Sequence, residues 1–182
     1  MERRERAPVI GWIVVAALFT IAGLLFWRSI NIVTAVPASA SSSGLAHLGS
    51  RAPSIPLVTL SGSPIALRAF SGKPLWVNFF ATWCPPCKDE LPQIERRYER
   101  LHPAGLVVLG IDQQEQAKVV KPFIVRFGLQ YPILIDNGKA PNVYFLEALP
   151  TSVFIDRRGI VRFIQIGEMT PPMMDKALAT IL

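Results

Sequence analysis

Apolar and polar residues alternate along this chain in blocks that predict strands followed by helices. Short, unbroken apolar runs, such as 75–81 and 105–112, have the length and composition of buried strands. Between them, apolar residues recur at intervals of three or four, as Leu91, Ile94 and Tyr98 do, which is the spacing of one helix face. Strands that alternate with helices indicate an α/β protein built around a mixed sheet.

The same pattern predicts the individual elements. Two short apolar stretches at 55–60 and 65–67, separated by Ser61-Gly62-Ser63-Pro64, are typical of a β-hairpin. The other predicted elements are strands over 75–81, 105–112, 131–136, 151–156 and 160–166, helices over 85–101, 113–127 and 171–182, and a partly helical connection over 137–147.

The N-terminal region contains a long apolar segment without charge. No Asp, Glu, Lys or Arg occurs from residue 9 to residue 27, and at ~1.5 Å per residue a helix of this length spans the ~30 Å hydrocarbon core of a membrane. Three arginines precede the segment and one follows it directly, so the positive-inside rule keeps the N-terminus in the cytoplasm. We therefore expect a cytoplasmic segment at 1–8 and one transmembrane signal-anchor helix at 9–30.

The residues after this helix predict a tether and one exported domain. Residues 31–48 include an alanine- and serine-rich run typical of a flexible linker, and 49–182 has the length of a single domain. A cleaved signal peptide is the competing interpretation, because Ala38-Ser39-Ala40 fits a cleavage site, but the apolar run exceeds the usual ~7–15 residues. We expect a single-pass protein of the bacterial cytoplasmic membrane with an extracytoplasmic, periplasmic C-terminal domain.

Charge and composition exclude one class of partner. The formal net charge of +6 is spread over the chain, and no basic run is interleaved with aromatic residues. The sequence therefore predicts no nucleic-acid partner. The hydrophobic fraction of 51% is high for a soluble domain, and part of the excess lies in the N-terminal segment.

The candidate chemistry lies in the segment Trp-Cys-Pro-Pro-Cys at 83–87, which holds the only two cysteines of the chain. The pair follows a predicted strand and opens a predicted helix, whose free N–H groups and positive dipole end stabilise a thiolate. We therefore expect Cys84 to be an exposed nucleophile, and Cys87, one turn later, to be shielded and able to close a disulfide with it. This arrangement predicts thiol-disulfide exchange without any cofactor beyond the cysteine pair.

Two other interpretations of the cysteine pair compete with exchange chemistry. A closed zinc site needs four ligands, whereas only His47 and His102 are available besides the cysteines. An inert structural disulfide is the second alternative, but the neighbouring Trp83 and the position at a helix start favour exchange. The pair is also well suited to exchange because exported cysteines are normally driven into disulfides.

The string Val-Asn-Phe-Phe-Ala-Thr-Trp-Cys-Pro-Pro-Cys-Lys-Asp-Glu-Leu-Pro at 77–92 resembles the active site of the thioredoxin superfamily, and in particular its membrane-anchored TlpA/ResA branch. The resemblance extends from about residue 49 to the C-terminus. It implies a thioredoxin-like fold, with a mixed central β-sheet flanked by helices, an N-terminal β-hairpin extension and a central αβ insertion. It also implies a thiol-disulfide oxidoreductase that takes electrons from a membrane thiol donor and acts on exported cysteine-containing clients, such as apocytochrome c with its Cys-x-x-Cys-His.

The resemblance also implies a client-binding loop. Leu149-Pro150-Thr151 is similar to the cis-proline loop that lies opposite the cysteines in thioredoxins. We expect a cis bond before Pro150, and Leu149 is then expected to expose its backbone for pairing with an extended client segment. The predicted client-binding residues are Trp83, Pro85, Pro86, Leu149, Pro150 and Thr151.

Two further residues are predicted to set the proton chemistry. Asn78 occupies the position at which thioredoxin has a buried acid, and an amide cannot relay protons. Glu90 lies three residues after Cys87, where the TlpA/ResA branch similarly has a glutamate implicated in proton handling. Burial is expected to raise its pKa, so that Glu90 can deprotonate Cys87 and completes the predicted catalytic set of Cys84, Cys87 and Glu90.

The direction of exchange is open at this level. Neither intervening proline has an N–H to offer a thiolate, so stabilisation of the Cys84 thiolate is limited and a reductant or mid-potential exchanger is favoured over a strong oxidant. An oxidant or isomerase of the same fold is the alternative. A copper chaperone lacks its distal histidine here, and a peroxidase would need its threonine three residues before the cysteine, where Thr82 lies two before Cys84.

Overall fold

The computed structural model describes residues 45–182. The cytoplasmic segment predicted at 1–8, the anchor predicted at 9–30 and most of the linker predicted at 31–48 lie outside the described residues. Among the helices of the described part, none combines the length and the apolar character needed to cross a membrane.

Seven strands and four α-helices make up the described part of the chain. The strands are β1 Pro56–Thr59, β2 Pro64–Ala66, β3 Leu75–Phe80, β4 Val107–Gln113, β5 Ile133–Asp136, β6 Thr151–Ile155 and β7 Val161–Ile166. The helices are α1 Pro85–Leu101, α2 Ala117–Phe127, α3 Ala140–Tyr144 and α4 Pro171–Leu178, with 3₁₀ turns at Leu67–Phe70 and His102–Ala104.

All seven strands belong to one mixed sheet of order β2-β1-β5-β4-β3-β6-β7. Strands β3, β4 and β5 run parallel, as Leu75 pairing with Val107 and Phe80 with Asp112 illustrate. The hairpin β1–β2 and the hairpin β6–β7 are antiparallel and extend the sheet on its two sides. Strand β3 is therefore an interior strand between β4 and β6, and its carboxyl end leads to the cysteine pair.

The two faces of the sheet carry separate hydrophobic layers. Successive side chains of β3 point to opposite faces, so Trp76 and Phe80 pack with α1, α2 and α4, while Val77 and Phe79 pack with α3 and the first hairpin. Both cysteines belong to the first layer. The cysteine pair is thus held between the sheet and the three helices of one face.

This architecture confirms the predicted thioredoxin-like α/β fold, including the hairpin extension and the inserted α2 and β5. The helix predicted over 113–127 begins later, at Ala117. Gln113 still belongs to β4, Gln114 has a φ of 65°, and the Asp112 carboxylate accepts the Glu115 N–H at 2.9 Å, so a turn separates strand from helix.

Candidate functional site

Strand β3 and helix α1 position the cysteine pair. The strand ends at Phe80, a short turn closes with the Cys84 N–H donating to the Ala81 carbonyl at 3.2 Å, and α1 begins at Pro85. Cys84 is therefore the N-cap of α1, in extended backbone conformation. Its sulfur is bonded to that of Cys87 and accepts the Cys87 N–H at 3.3 Å.

The two prolines leave Cys84 with limited hydrogen bonding. Pro85 and Pro86 form the first turn of α1, where a missing N–H is tolerated because it would be unpaired anyway. The first amide able to reach the Cys84 sulfur is that of Cys87, as the sequence predicts. The helix dipole and this one amide are what α1 offers a thiolate at Cys84.

The structure corrects the expected exposure of Cys84. Cys84 is only 3% exposed and Cys87 only 1% exposed in the disulfide state. Because the Cys84 side chain is turned toward Cys87 and packs in the layer between α1 and the sheet, the disulfide is covered. By contrast Trp83, directly before the pair, is 66% exposed and presents its ring to solvent.

The predicted proline loop lies at the same edge of the sheet as the cysteines. The Leu149–Pro150 peptide bond is cis, as predicted. Thr151 pairs with Phe79, near the end of β3, so Pro150 lies beside the strand end that leads to Cys84. Pro150 is held by the Gly167 N–H, which donates to its carbonyl at 2.8 Å.

Leu149 and Thr151 differ in what they can offer a client. Within residues 45–182, the backbone N–H and carbonyl of Leu149 make no backbone hydrogen bond, so both are free for an added strand. Thr151 is fully buried, pairs with Phe79 on one side and Ile166 on the other, and donates its hydroxyl to the Ala148 carbonyl at 2.7 Å. The client contact predicted for Thr151 therefore finds no free edge or surface, and this residue stabilises the loop instead.

Glu90 is buried on α1, one turn after Cys87. It is 1% exposed, and neither of its carboxyl oxygens has a hydrogen-bond partner among the described residues. Burial raises the pKa of Glu90 to about 8; the nearby Met169 amide, which does not reach hydrogen-bonding geometry, opposes this rise, and the Glu168 charge adds to it. The carboxyl group is thus largely protonated at neutral pH, in the range where it can exchange protons with a thiol.

A buried polar group from β3 lies on the same sheet face as the cysteines. Asn78 is 1% exposed, and its Nδ2 donates to the Ser152 hydroxyl oxygen at 3.1 Å. The same hydroxyl oxygen accepts the Trp76 indole N–H at 2.9 Å. The amide oxygen of Asn78 has no partner among residues 45–182. Asn78 is therefore held in place by Ser152 and carries no titratable proton.

The structure adds an acidic pair that the sequence analysis did not single out. The Thr82 N–H donates to Glu115 Oε2 at 2.6 Å, and the Thr82 hydroxyl donates to Oε1 at 2.7 Å. Asp112 in turn anchors the Glu115 N–H, and Asp112 Oδ2 is buried without a partner in the described chain. Burial is the main cause that raises the pKa of Asp112, and the neighbouring Glu115 carboxyl group raises it further.

A sequence signal for this pair exists. Asp112 ends the apolar run of β4, and the carboxyl ends of neighbouring parallel strands meet at one edge, so an acid there falls beside the end of β3. Glu115 is harder to find because it lies 33 residues from its partner Thr82. Within residues 45–182, no group of three or more His, Cys, Asp and Glu side chains is placed to hold a metal ion.

Comparisons with known proteins agree with this site. Residues 48–164 match the model of the AhpC/TSA family. The chain is 30% identical over 166 residues to the thiol-disulfide oxidoreductase ResA of Halalkalibacterium halodurans, covering 86% of this chain and 94% of that protein. It is 36% identical over 135 residues to the ResA protein of Geobacillus kaustophilus, covering 74% of this chain and 78% of that protein. Among solved structures, a thioredoxin-family thiol:disulfide interchange protein from Chlorobium tepidum TLS has a TM-score of 0.64 at 29% identity, covering 73% of this chain and 96% of that one.

Proposed function

This chain belongs to the AhpC/TSA family and is a TlpA/ResA-like thiol-disulfide oxidoreductase, and from that premise we propose that it works outside the cytoplasm as a reductant of exported proteins. The observation that carries the proposal is the Cys84–Cys87 disulfide at the start of α1, beside the cis Leu149–Pro150 loop. The two ResA relatives support the chemistry, because both are named thiol-disulfide oxidoreductases.

The proposed cycle starts from the dithiol form. The Cys84 thiolate attacks one sulfur of a client disulfide, forming a Cys84–client mixed disulfide and releasing the second client sulfur as a thiolate. The Cys87 thiolate then attacks the Cys84 sulfur, which forms the Cys84–Cys87 disulfide and releases the first client sulfur. Two electrons pass from the protein to the client, and the two client thiolates take up the protons that the cysteines gave up.

Glu90 is proposed to accept the proton of Cys87 in the second step. The two residues are neighbours on one face of α1, and the raised pKa of about 8 brings the Glu90 carboxyl close to that of an ordinary thiol. Glu90 accepts this proton as the carboxylate, which burial makes the minority form at neutral pH, and becomes the neutral acid. The proton is then expected to pass to the client thiolate that leaves when the disulfide closes.

The direction of exchange follows from the weak stabilisation of the thiolate. With two prolines after Cys84 and one amide in reach, the dithiol form gains little, so the pair is a reductant or a mid-potential exchanger. Regeneration then requires a dithiol donor, which we propose to be a membrane protein near the anchor predicted at 9–30. Apocytochrome c, whose haem-binding cysteines must be reduced, is a client of matching chemistry.

Trapping tests this proposal in the full chain. In the Cys87→Ala variant the mixed disulfide on Cys84 cannot be resolved, so exported Cys-x-x-Cys clients are expected to accumulate as reducible adducts. The Cys84→Ala/Cys87→Ala variant is the control and should give none.

The reduction potential and the identity of the adducts decide the outcome. A potential near the ~−120 mV of a strong oxidant would replace the reductant assignment with the oxidant alternative. Absence of any exported protein from the Cys87→Ala adducts, or equal adducts in the double variant, would contradict the proposed function.

A further inference from the structure

A groove of about 310 Å³ opens beside the active-site turn. One side is formed by Thr82, two residues before Cys84, and by Lys88, directly after Cys87. The other side is helix α2, which contributes chiefly Val119, Phe123, Arg126 and Phe127. We call this feature the α2 groove.

Part of the lining of the α2 groove is apolar. The rings of Phe123 and Phe127 lie 4.4 Å apart between centroids, and Phe123 also stacks on Phe80 of the core at 6.0 Å. Val119 is 42% exposed and adds an accessible apolar side chain to this lining. A volume of this size with aromatic walls matches one large apolar side chain and its neighbours.

The rim of the α2 groove is cationic. Arg126 lies with its guanidinium carbon 6.0 Å from the centroid of the Phe127 ring, and Lys88 approaches from α1. Within the described residues, neither cation is in an ion pair. Glu115 lies beside the groove, where its carboxyl oxygens accept from the Thr82 N–H and hydroxyl, and the two rim cations outnumber this one acid. The excess of positive charge complements a carboxylate on the partner.

The sheet order places the α2 groove and the proline loop on opposite sides of Cys84. The proline loop leads into β6, which is one neighbour of β3, while α2 follows β4, which is the other neighbour. A client strand that pairs with Leu149 and crosses the disulfide therefore runs toward the α2 groove with the residues that flank its cysteine.

From this arrangement we propose that the α2 groove binds the client segment next to the reacting cysteine, and that it selects a large apolar side chain beside an acidic one. The inference rests on the proposed function, because the occupant is the substrate of the same disulfide. It adds a rule of specificity, in which the disulfide reacts fastest in an acidic, aromatic sequence context.

Two cyclic peptides test this rule with the full chain in detergent. Both contain a Cys-x-x-Cys disulfide, and they differ only in whether Phe-Glu or Phe-Lys pairs flank it on both sides. We expect the reduced protein to act on the acidic peptide about three- to tenfold faster at low salt, with the advantage shrinking as salt screens the rim. The readout is the second-order rate constant from stopped-flow tryptophan fluorescence.

Two charge-reversal variants on α2 distinguish the effect of the groove from the effect of the overall charge of the protein. Arg126→Glu is expected to remove or invert the preference for the acidic peptide. Lys121→Glu makes the same charge change at an exposed position of α2 that does not line the groove, and should alter the ratio of rates by less than about twofold. Hydroxyethyl disulfide, a neutral small substrate, should be reduced by Lys121→Glu as fast as by the native protein, and its rate with Arg126→Glu normalises the peptide rates of that variant.

The outcomes distinguish the two proposals. Equal rates for the two peptides, or equal effects of Arg126→Glu and Lys121→Glu, would overturn the groove while leaving exchange at Cys84 intact. A dimer in sedimentation that Arg126→Glu dissociates would show a second copy as the occupant, and would also overturn it. Failure to reduce the peptides and hydroxyethyl disulfide alike would refute the proposed function itself.

Discussion

At the scale of single residues, Glu90 is a buried acid one helical turn from the cysteine pair. Cys84 and Cys87 are both covered in the disulfide state, and Glu90 is buried beside them without a hydrogen-bond partner in the described chain. The carboxyl group therefore avoids ionisation, which is why its pKa rises to about 8. Such a group costs stability when it ionises, and that cost links folding to the chemistry.

The Glu90→Gln variant is expected to change both the pH dependence of stability and the rate of disulfide exchange. In the native protein the Glu90 carboxyl group holds its proton up to about pH 8. In the unfolded chain the same group loses its proton near its ordinary pKa of 4.5. The free energy of unfolding should therefore fall as pH rises between these values, by up to about 1.4 kcal/mol per pH unit, and level off above. Glu90→Gln is expected to remove this decline. Urea unfolding of the oxidised protein at pH 5 and pH 8 measures the free energy of unfolding of both proteins.

The same variant tests the proton transfer. Resolution of a mixed disulfide should be slowed by about 100-fold, the lower end of general-base effects, and lose its rise with pH near 8. Asp89→Asn, an exposed neighbour on the same turn, is the control. A wild-type pH profile in Glu90→Gln would mean that Glu90 takes no part in resolution.

At the scale of elements, the connection from β4 to α2 supports the active-site turn. Glu115 accepts two hydrogen bonds from Thr82, and the turn that carries Glu115 is itself fixed by Asp112 at the end of β4. The turn before Cys84 is thus held from the neighbouring strand as well as by its own chain. This support also defines one side of the α2 groove.

Removing the carboxylate should loosen this turn. In Glu115→Ala the part-buried Thr82 N–H loses a charged acceptor, so we expect the free energy of unfolding to fall by about 1.5–3 kcal/mol. Amide hydrogen exchange at Thr82 should become faster, and the rate of client reduction should fall. Glu147→Ala, at an exposed position, should leave all three near the wild-type values. Unchanged protection of the Thr82 amide would show that Glu115 does not hold the turn.

The elements of this fold follow closely from the sequence, because each is encoded locally. Periodicity locates α1, and the apolar runs locate β3 and β4, whereas the start of α2 at Ala117 depends on a turn made by Gln114 and Asp112. The site divides in the same way. The Cys-x-x-Cys spacing and the proline before β6 are visible in the chain, but the contact of Thr82 with Glu115 and the burial of Cys84 arise only when the strands pair.

At the scale of the whole molecule, two ion pairs join the last helix to the active-site helix, because both Arg97 and Arg100 bind Asp175. Arg97 of α1, which is 7% exposed, holds Asp175 of α4 through two hydrogen bonds of 2.9 Å and donates to the Pro171 carbonyl at 2.8 Å. Hydrogen bonds from Arg97 are the main reason that the pKa of Asp175 is lowered. Helix α4 contributes Met174, Ala177 and Leu178 to the layer that contains both cysteines.

Breaking the Arg97–Asp175 pair should lower the stability of the domain. Arg97→Gln is expected to lower the free energy of unfolding by about 1.5–3 kcal/mol, whereas Arg96→Gln, at the exposed neighbouring position, should change it by less than about 0.5 kcal/mol. Because the pKa of Asp175 is lowered, its contribution is present above pH 3.8 and is lost as pH falls below that value. Urea unfolding at pH 7 and pH 3 checks both statements, and equal losses in the two variants would contradict them.

The first residues of the described part pack on one face of the sheet. Ala46 is buried in the layer on the α3 side of the sheet, and its N–H donates to the Val143 carbonyl at 2.9 Å. The disulfide and α2 lie on the reverse side. The first described residues therefore shield the face of the sheet that is turned away from the disulfide, so a client that reaches Cys84 meets α1, α2 and α4 and does not have to displace them.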